Sequence, residues 1–279
     1  MKTAATRFGI LLATICVAAM VFGQAVTSSI TGTVRDASGA VIPGASVTVS
    51  DSALGFTRKT TTDSAGSFLA GGLPAGTYDL IISSTGFKTY RATGVVVQAA
   101  RKIRADATLQ VGEVSTEVTV QGSDIGQVQT QTSELGGTVT GRQITQLELN
   151  GRSFVQLLTL VPGVANMTGS DSGPFGQAAS AYSVNGGRIE YNNMEVDGIS
   201  IMDMGTGGNS IVIYPSIDAI AEERVLTSNY GAQYGQDASG TIIAAIKSGT
   251  SQFHGDAYEF NRNEIFNARN FFSDSRPSY

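Results

Sequence analysis

The sequence predicts a mainly β chain: an N-terminal β-sandwich followed by a smaller unit of mixed α+β structure. Three observations carry this. Between Ile30 and Val111, turn signals recur at short intervals among Val- and Thr-rich runs, the pattern of many short strands. Charged residues are only 15% of the chain, Gly accounts for 34 of 279 and Trp is absent, a composition that suits strands and turns over long helices. Beyond residue 134, brief helical patterns alternate with short apolar runs.

Residues 1–24 read as an export signal. Lys2 and Arg7 give a positive start, and Gly9 to Phe22 is apolar but too short to span a bilayer as a helix. Small residues near Gly23 predict a mature N-terminus between Gln24 and Val26. N-terminal sequencing of envelope protein checks this, and an intact Met1 would remove the export reading. Cys16, the single cysteine, lies in this segment, so the mature chain is expected to hold no disulfide. Loss of Lys2 and Arg7 leaves 16 basic against 23 acidic residues, a net charge of −7. The absence of a basic block argues against nucleic-acid binding.

Residues 27–111 form the expected sandwich. Ser46 to Val49 alternates apolar and polar, and Val95 to Val97 is a continuous apolar run. Asp36-Ala37-Ser38-Gly39, Pro43-Gly44, Asp63-Ser64-Ala65-Gly66, Pro74-Ala75-Gly76 and Thr85-Gly86 supply the turns. Residues 112–133 are a polar linker with one β-prone stretch, Glu117-Val118-Thr119-Val120.

The second unit spans 134–248. Thr140 and Gln143 form a capping box, with Ile144 and Leu147 as the apolar face of a short helix. Phe154, Leu157, Leu158 and Val161 fall at i, i+3, i+4 and i+7, one stripe on a further helix that Pro162-Gly163 stops. Ala181 to Ile201 reads as paired strands with turns at Asn185-Gly186 and Asp197-Gly198. Pro215-Ser216 starts a brief helix through Ile220, and strands are expected at Arg224 to Leu226 and Thr241 to Ile246. In 249–279 the texture changes, because seven of the 21 aromatics fall in the last 29 residues. Phe253 to Phe260 is the expected strand there, with Tyr258 and Phe260 on one face.

Catalytic chemistry finds little support. His254 is the only histidine, so no His-based zinc site can form, and no GxSxG elbow presents a serine to it. Gly205-Thr206-Gly207-Gly208 lacks both the third glycine of a dinucleotide loop and the Lys of a P-loop. Glu190, Glu195, Asp197 and Asp203 gather acidic groups but do not match a calcium-loop spacing, and Asp197 is better explained by its turn. No cofactor and no enzymatic activity are expected.

Several segments carry a family resemblance. GTVRDASGAVIPGASVTV, TTDSAGSF, LPAGTYDL and the following GF resemble the transthyretin-type, carboxypeptidase-regulatory-like module. NGRSFVQLLTLVPGV, VNGGRIEYNNMEVDGISI and YGQDASGTIIAAIKSGT resemble the plug domain of TonB-dependent outer-membrane receptors. The resemblance implies that 249–279 starts an outer-membrane β-barrel, whose aromatic girdles would explain the enrichment. A barrel of some 22 strands of ~10 residues would extend several hundred residues past Tyr279.

It further implies an outer-membrane location, with the N-terminal module in the periplasm, and a plug that gates solute uptake energised by TonB. The solute class stays open among iron chelates, cobalamin, oligosaccharides and peptides. Receptors of this family expose a short extended peptide that pairs edge-on with TonB, and Glu117, Val118, Thr119 and Val120 are the candidates for it. β-Augmentation needs a β-prone strand with main-chain groups available. The same four residues would equally serve as the last strand of the sandwich or the first of the plug. An alternative function is an exported carbohydrate-binding or adhesive protein, with Tyr78, Phe87 and Tyr90 as candidate sugar platforms.

Overall fold

The structure, a computed structural model, describes residues 27–114, 117–122, 131–147, 149, 152–167, 182–203, 210–211, 213–235, 238–253 and isolated positions from 255 to 271. The export-signal segment, the Gly205–Gly208 turn, His254, Tyr258 and Phe260 lie outside the described residues.

The first module contains β1 (Ser28–Asp36), β2 (Ser46–Asp51), β3 (Phe56–Thr61), β4 (Ser67–Leu73), β5 (Gly76–Ser83), β6 (Thr89–Val97), β7 (Lys102–Arg104), β8 (Ala107–Leu109) and β9 (Glu117–Gln121). They form two sheets. In one, β1 lies antiparallel to β4 and runs parallel to β7 along its first half and to β8 along its second. The other has the order β3-β2-β5-β6-β9.

Alternation places Ile30, Val34, Val47, Val49, Leu80, Ile82 and Val95 in the shared core, the inward face of a period-two pattern. Tyr78 is fully buried among them. Its hydroxyl donates to the Pro74 carbonyl at 2.9 Å, and Phe56 meets its ring edge-on at 6.2 Å. Two of the turns repeat one device. The Asp36 carboxylate accepts from the N–H groups of Ser38 and Ala40, and the Asp63 carboxylate from those of Ala65 and Ser67. Gly39 and Gly66 then take the left-handed conformation that closes each turn.

The second module is built on a five-stranded sheet, order β10-β17-β18-β13-β14. Its strands are β10 (Leu135–Val139), β13 (Asn193–Val196), β14 (Ile199–Ser200), β17 (Ile220–Ser228) and β18 (Thr241–Ile246). Beside them lie two small ladders, β11 (Val164–Asn166) with β12 (Tyr182–Val184) and β15 (Met202–Asp203) with β16 (Ser210–Ile211). Helix α1 (Gly141–Gln146) starts on the expected capping box, with Thr140 and Gln143 satisfying each other's backbone N–H. Asp197 and Gly198, both at positive φ, make the two-residue hairpin joining β13 to β14.

Three expectations are corrected here. Phe154 to Leu160 is a 3₁₀ helix rather than an α-helix. The run is only seven residues, no side chain caps its start, and Val155 and Thr159 are β-branched, so the tighter turn prevails. Its apolar residues Phe154, Leu157, Leu158 and Val161 are nonetheless buried as predicted. Leu147 caps α1 in extended conformation and is exposed instead of completing an apolar face. The strands on either side of Asn185-Gly186 do not pair with each other: β12 joins β11, and β13 joins β18 in parallel.

Residues 250–279 form a separate unit. Among its described residues no strand is assigned, and Phe253 is fully exposed. No helix among the described residues is long and apolar enough to cross a membrane, which says nothing of a β-barrel.

Candidate functional site

Glu117 to Gln121 forms β9, which runs parallel to β6 with Glu117 opposite Thr89 and Gln121 opposite Thr93. Val118 and Val120 are half-buried and Thr119 is exposed, and Val120 packs against the sandwich core. Gly122 follows so close to β6 that a Cβ there would meet the Thr93 carbonyl oxygen at 2.5 Å. The Thr89 hydroxyl donates to the Val114 carbonyl at 2.7 Å, fixing the start of the approach. One edge of the segment is therefore occupied, where the docking reading expected a stretch with its main-chain groups free, and the pairing matches the alternative of a last sandwich strand. Without β9, β6 would present an unpaired edge, and the inward valines make β9 a suitable cover. β9 is one of the two end strands of its sheet among the described residues, β3 being the other, so a strand added on this side would pair with β9.

The sandwich has a second contact, one whose partners the sequence does not identify. The corner 98–101, between β6 and β7, meets β17. The Ala99 N–H donates to the Glu222 carboxylate, and the Arg224 guanidinium donates to the Ala100 carbonyl. Arg224 also pairs with Glu134 at 2.8 Å, with both side chains less than a tenth exposed. Ala100 holds the corner in the left-handed region at φ 52°. Ser28 braces it from behind: its hydroxyl donates to the Gln98 carbonyl at 2.6 Å and accepts from the Arg101 N–H at 3.3 Å. Burial raises the Glu222 pKa against the opposing pull of the Ala99 N–H and of Arg224 and Arg101. Burial lowers that of Arg101, and repulsion from Arg224 adds to it.

Glu223 points the other way. By alternation it shares a face with Val225, inside the second core, and it is fully buried. Neither carboxylate oxygen has a hydrogen-bond partner among the described residues. Desolvation pushes its pKa up to about 8. A signal for both findings was present in the sequence: Glu222-Glu223-Arg224 puts charge on both faces of a strand whose other residues are largely apolar.

The remaining candidates take structural places. Asp197 accepts from the Ile246 N–H at 3.0 Å, and the Glu195 carboxylate accepts from the Asn193 amide at 2.8 Å. Tyr78 and Tyr90 are buried and Phe87 packs against the sandwich core, so none of the three offers an exposed ring to a sugar.

Comparisons with known proteins follow the same division. Residues 29–110 match the carboxypeptidase regulatory-like domain, 114–242 the TonB-dependent receptor plug domain, and 245–279 an outer membrane beta barrel domain. The TonB-dependent transporter Oar of Myxococcus xanthus is 27% identical over 259 residues, which is 86% of this chain and 22% of that protein. The chain thus spans about a fifth of the relative's length. Among solved structures, the outer membrane transporter YddB from Escherichia coli aligns with 40% of this chain and 17% of its own, at 19% identity and a TM-score of 0.33. The Bacillus anthracis TIE protein aligns with 30% of this chain and 16% of its own, at 19% identity and a TM-score of 0.26. The plug match starts at residue 114, so β9 is plug by sequence and sandwich by pairing.

Proposed function

Because the chain belongs to the TonB-dependent outer-membrane receptors, we propose that it forms the gating end of a transporter, its plug closing a barrel until TonB energises uptake of a solute. The sandwich then faces the periplasm, where TonB reaches it, and no catalytic step is assigned to any residue. The observation that carries the docking role is the position of β9 at the end of its sheet. A TonB strand added beyond β9 would extend that sheet by main-chain hydrogen bonds, with Glu117, Val118, Thr119 and Val120 as the template. The solute is proposed only by class: an iron chelate, cobalamin, an oligosaccharide or a peptide.

The test compares uptake with surface binding in whole cells, in a receptor carrying this chain at its N-terminus. Proline at Val118 or Val120 removes a backbone donor and restricts φ, interrupting a ladder. Val118→Pro is expected to abolish energised uptake and leave solute binding nearly unchanged, whereas Val118→Thr, still β-prone, is expected to be mild. Normal uptake in both proline variants would sink the docking assignment. Equal loss of binding and uptake would make the segment structural.

A further inference from the structure

We propose that the β-sandwich is a latch on the plug, its corner 98–101 gripping the plug strand β17 through Glu222 and Arg224. This goes beyond the proposed uptake role and does not depend on which solute is carried or on where TonB docks.

The grip has the features of a specific contact. It joins two backbone groups of one module, the Ala99 N–H and the Ala100 carbonyl, to two alternate side chains of the other. Residues two apart on a strand share a face, so β17 presents Glu222 and Arg224 together to the corner. The opposite face, at Val225, belongs to the plug core. β17 is the second strand of its sheet, bonded to β10 over Leu135–Val139 and to β18 over Thr241–Ile246. Whatever holds β17 therefore holds the sheet. Glu134, just ahead of β10, closes the ring by pairing with the same Arg224.

The four charges around the corner, Arg101, Glu134, Glu222 and Arg224, sum to zero, and the Glu134–Arg224 pair is nearly excluded from water. A buried pair of this kind adds little net stability over an apolar contact, yet losing one partner is strongly destabilising. That is the behaviour of a two-position catch. It holds while the modules are seated, and once they separate water solvates every charge. The corner also sits at the end of β6, the strand that bears β9. A displacement of β9 that strains β6 would reach the grip within a few residues.

The test is hydrogen exchange of the β17 and β18 amides in the chain, with Ala100→Pro, Arg224→Met and the double variant. Proline cannot adopt the positive φ of Ala100, so it distorts the corner from the sandwich side without touching the plug. Each single variant is expected to speed β17 exchange at least tenfold while β2 and β5 keep their protection. The double variant is expected to exchange no faster than Arg224→Met alone, because both changes break one contact. Additive effects, or unchanged β17 exchange in Ala100→Pro, would overturn the latch. Loss of protection in β2 and β5 as well would also overturn it, showing the corner to be part of the sandwich's own fold.

Discussion

Replacing Glu223 by methionine is expected to stabilise the plug and to remove most of its weakening between pH 5 and pH 8. In the folded chain this carboxyl titrates near pH 8, against an ordinary value of 4.5. The folded state thus binds its proton more tightly than the unfolded state does. The associated stability is fully present below the ordinary value and is lost as pH rises through about 8. The penalty of ionising it in place is roughly 3–5 kcal/mol. Methionine fills a similar volume with no polar atom to satisfy and adapts to an irregular gap. Urea unfolding followed by hydrogen exchange in β17 and β18, at pH 5 and pH 8, measures the slope. Glu222 and Glu195 are also raised by burial and leave a smaller slope of the same sign in the variant. A variant as pH-sensitive as the parent would show that Glu223 reaches a partner or solvent.

The second large effect is expected at Phe154. Its ring is fully buried and lies 5.2 Å from that of Tyr214, whose hydroxyl is 2.9 Å from the Ser153 hydroxyl. Phe154→Ala is expected to cost about 3–5 kcal/mol, the usual range for deleting a buried aromatic. The 3₁₀ helix that carries it is also clamped at its start, where Arg152 pairs with Asp218 at 2.6 Å. The damage should therefore spread to the 3₁₀ turn Ile217–Ala219 on the other side of that clamp. Leu160→Ala, at the half-exposed end of the same helix, is expected to change stability by less than about 0.5 kcal/mol. Denaturant midpoints for the two variants decide it, and equal effects would refute the assignment of Phe154 to the core.

What was legible in the sequence was local chemistry. The turns at Asp36, Asp63 and Asp197 and the capping box at Thr140 depend on atoms within four residues, so residue types alone announce them. The buried stripe of the Phe154 helix was legible as spacing, but its 3₁₀ geometry was not, since both helices keep residues three apart on one face. Partner choice was the least legible. Glu117 to Val120 reads as a strand from composition, whereas its parallel seat on β6 depends on an edge supplied by residues almost 30 positions earlier. The corner was hidden for the same reason: Ala99 and Ala100 offer only backbone groups, which every residue has. The glutamates and arginine that meet it were visible as an oddity in a strand, without a hint of what they faced.

The arrangement around β1 has a consequence for how the chain folds. Among the described residues this is the earliest strand to be synthesised, yet it lies between β4 on one side and β7 and β8 on the other. Thr33 donates its N–H to the Asp106 carboxylate across 73 positions of sequence. Closing a loop of that length precedes any reward from the contacts it brings, and topologies rich in such distant pairings fold slowly. As the chain emerges, β1 can join β4 early but must wait for β7 and β8 with one edge uncovered. The rate-limiting event in the sandwich should be the arrival of residues 102–109, which makes the first strand made one of the last to be completed.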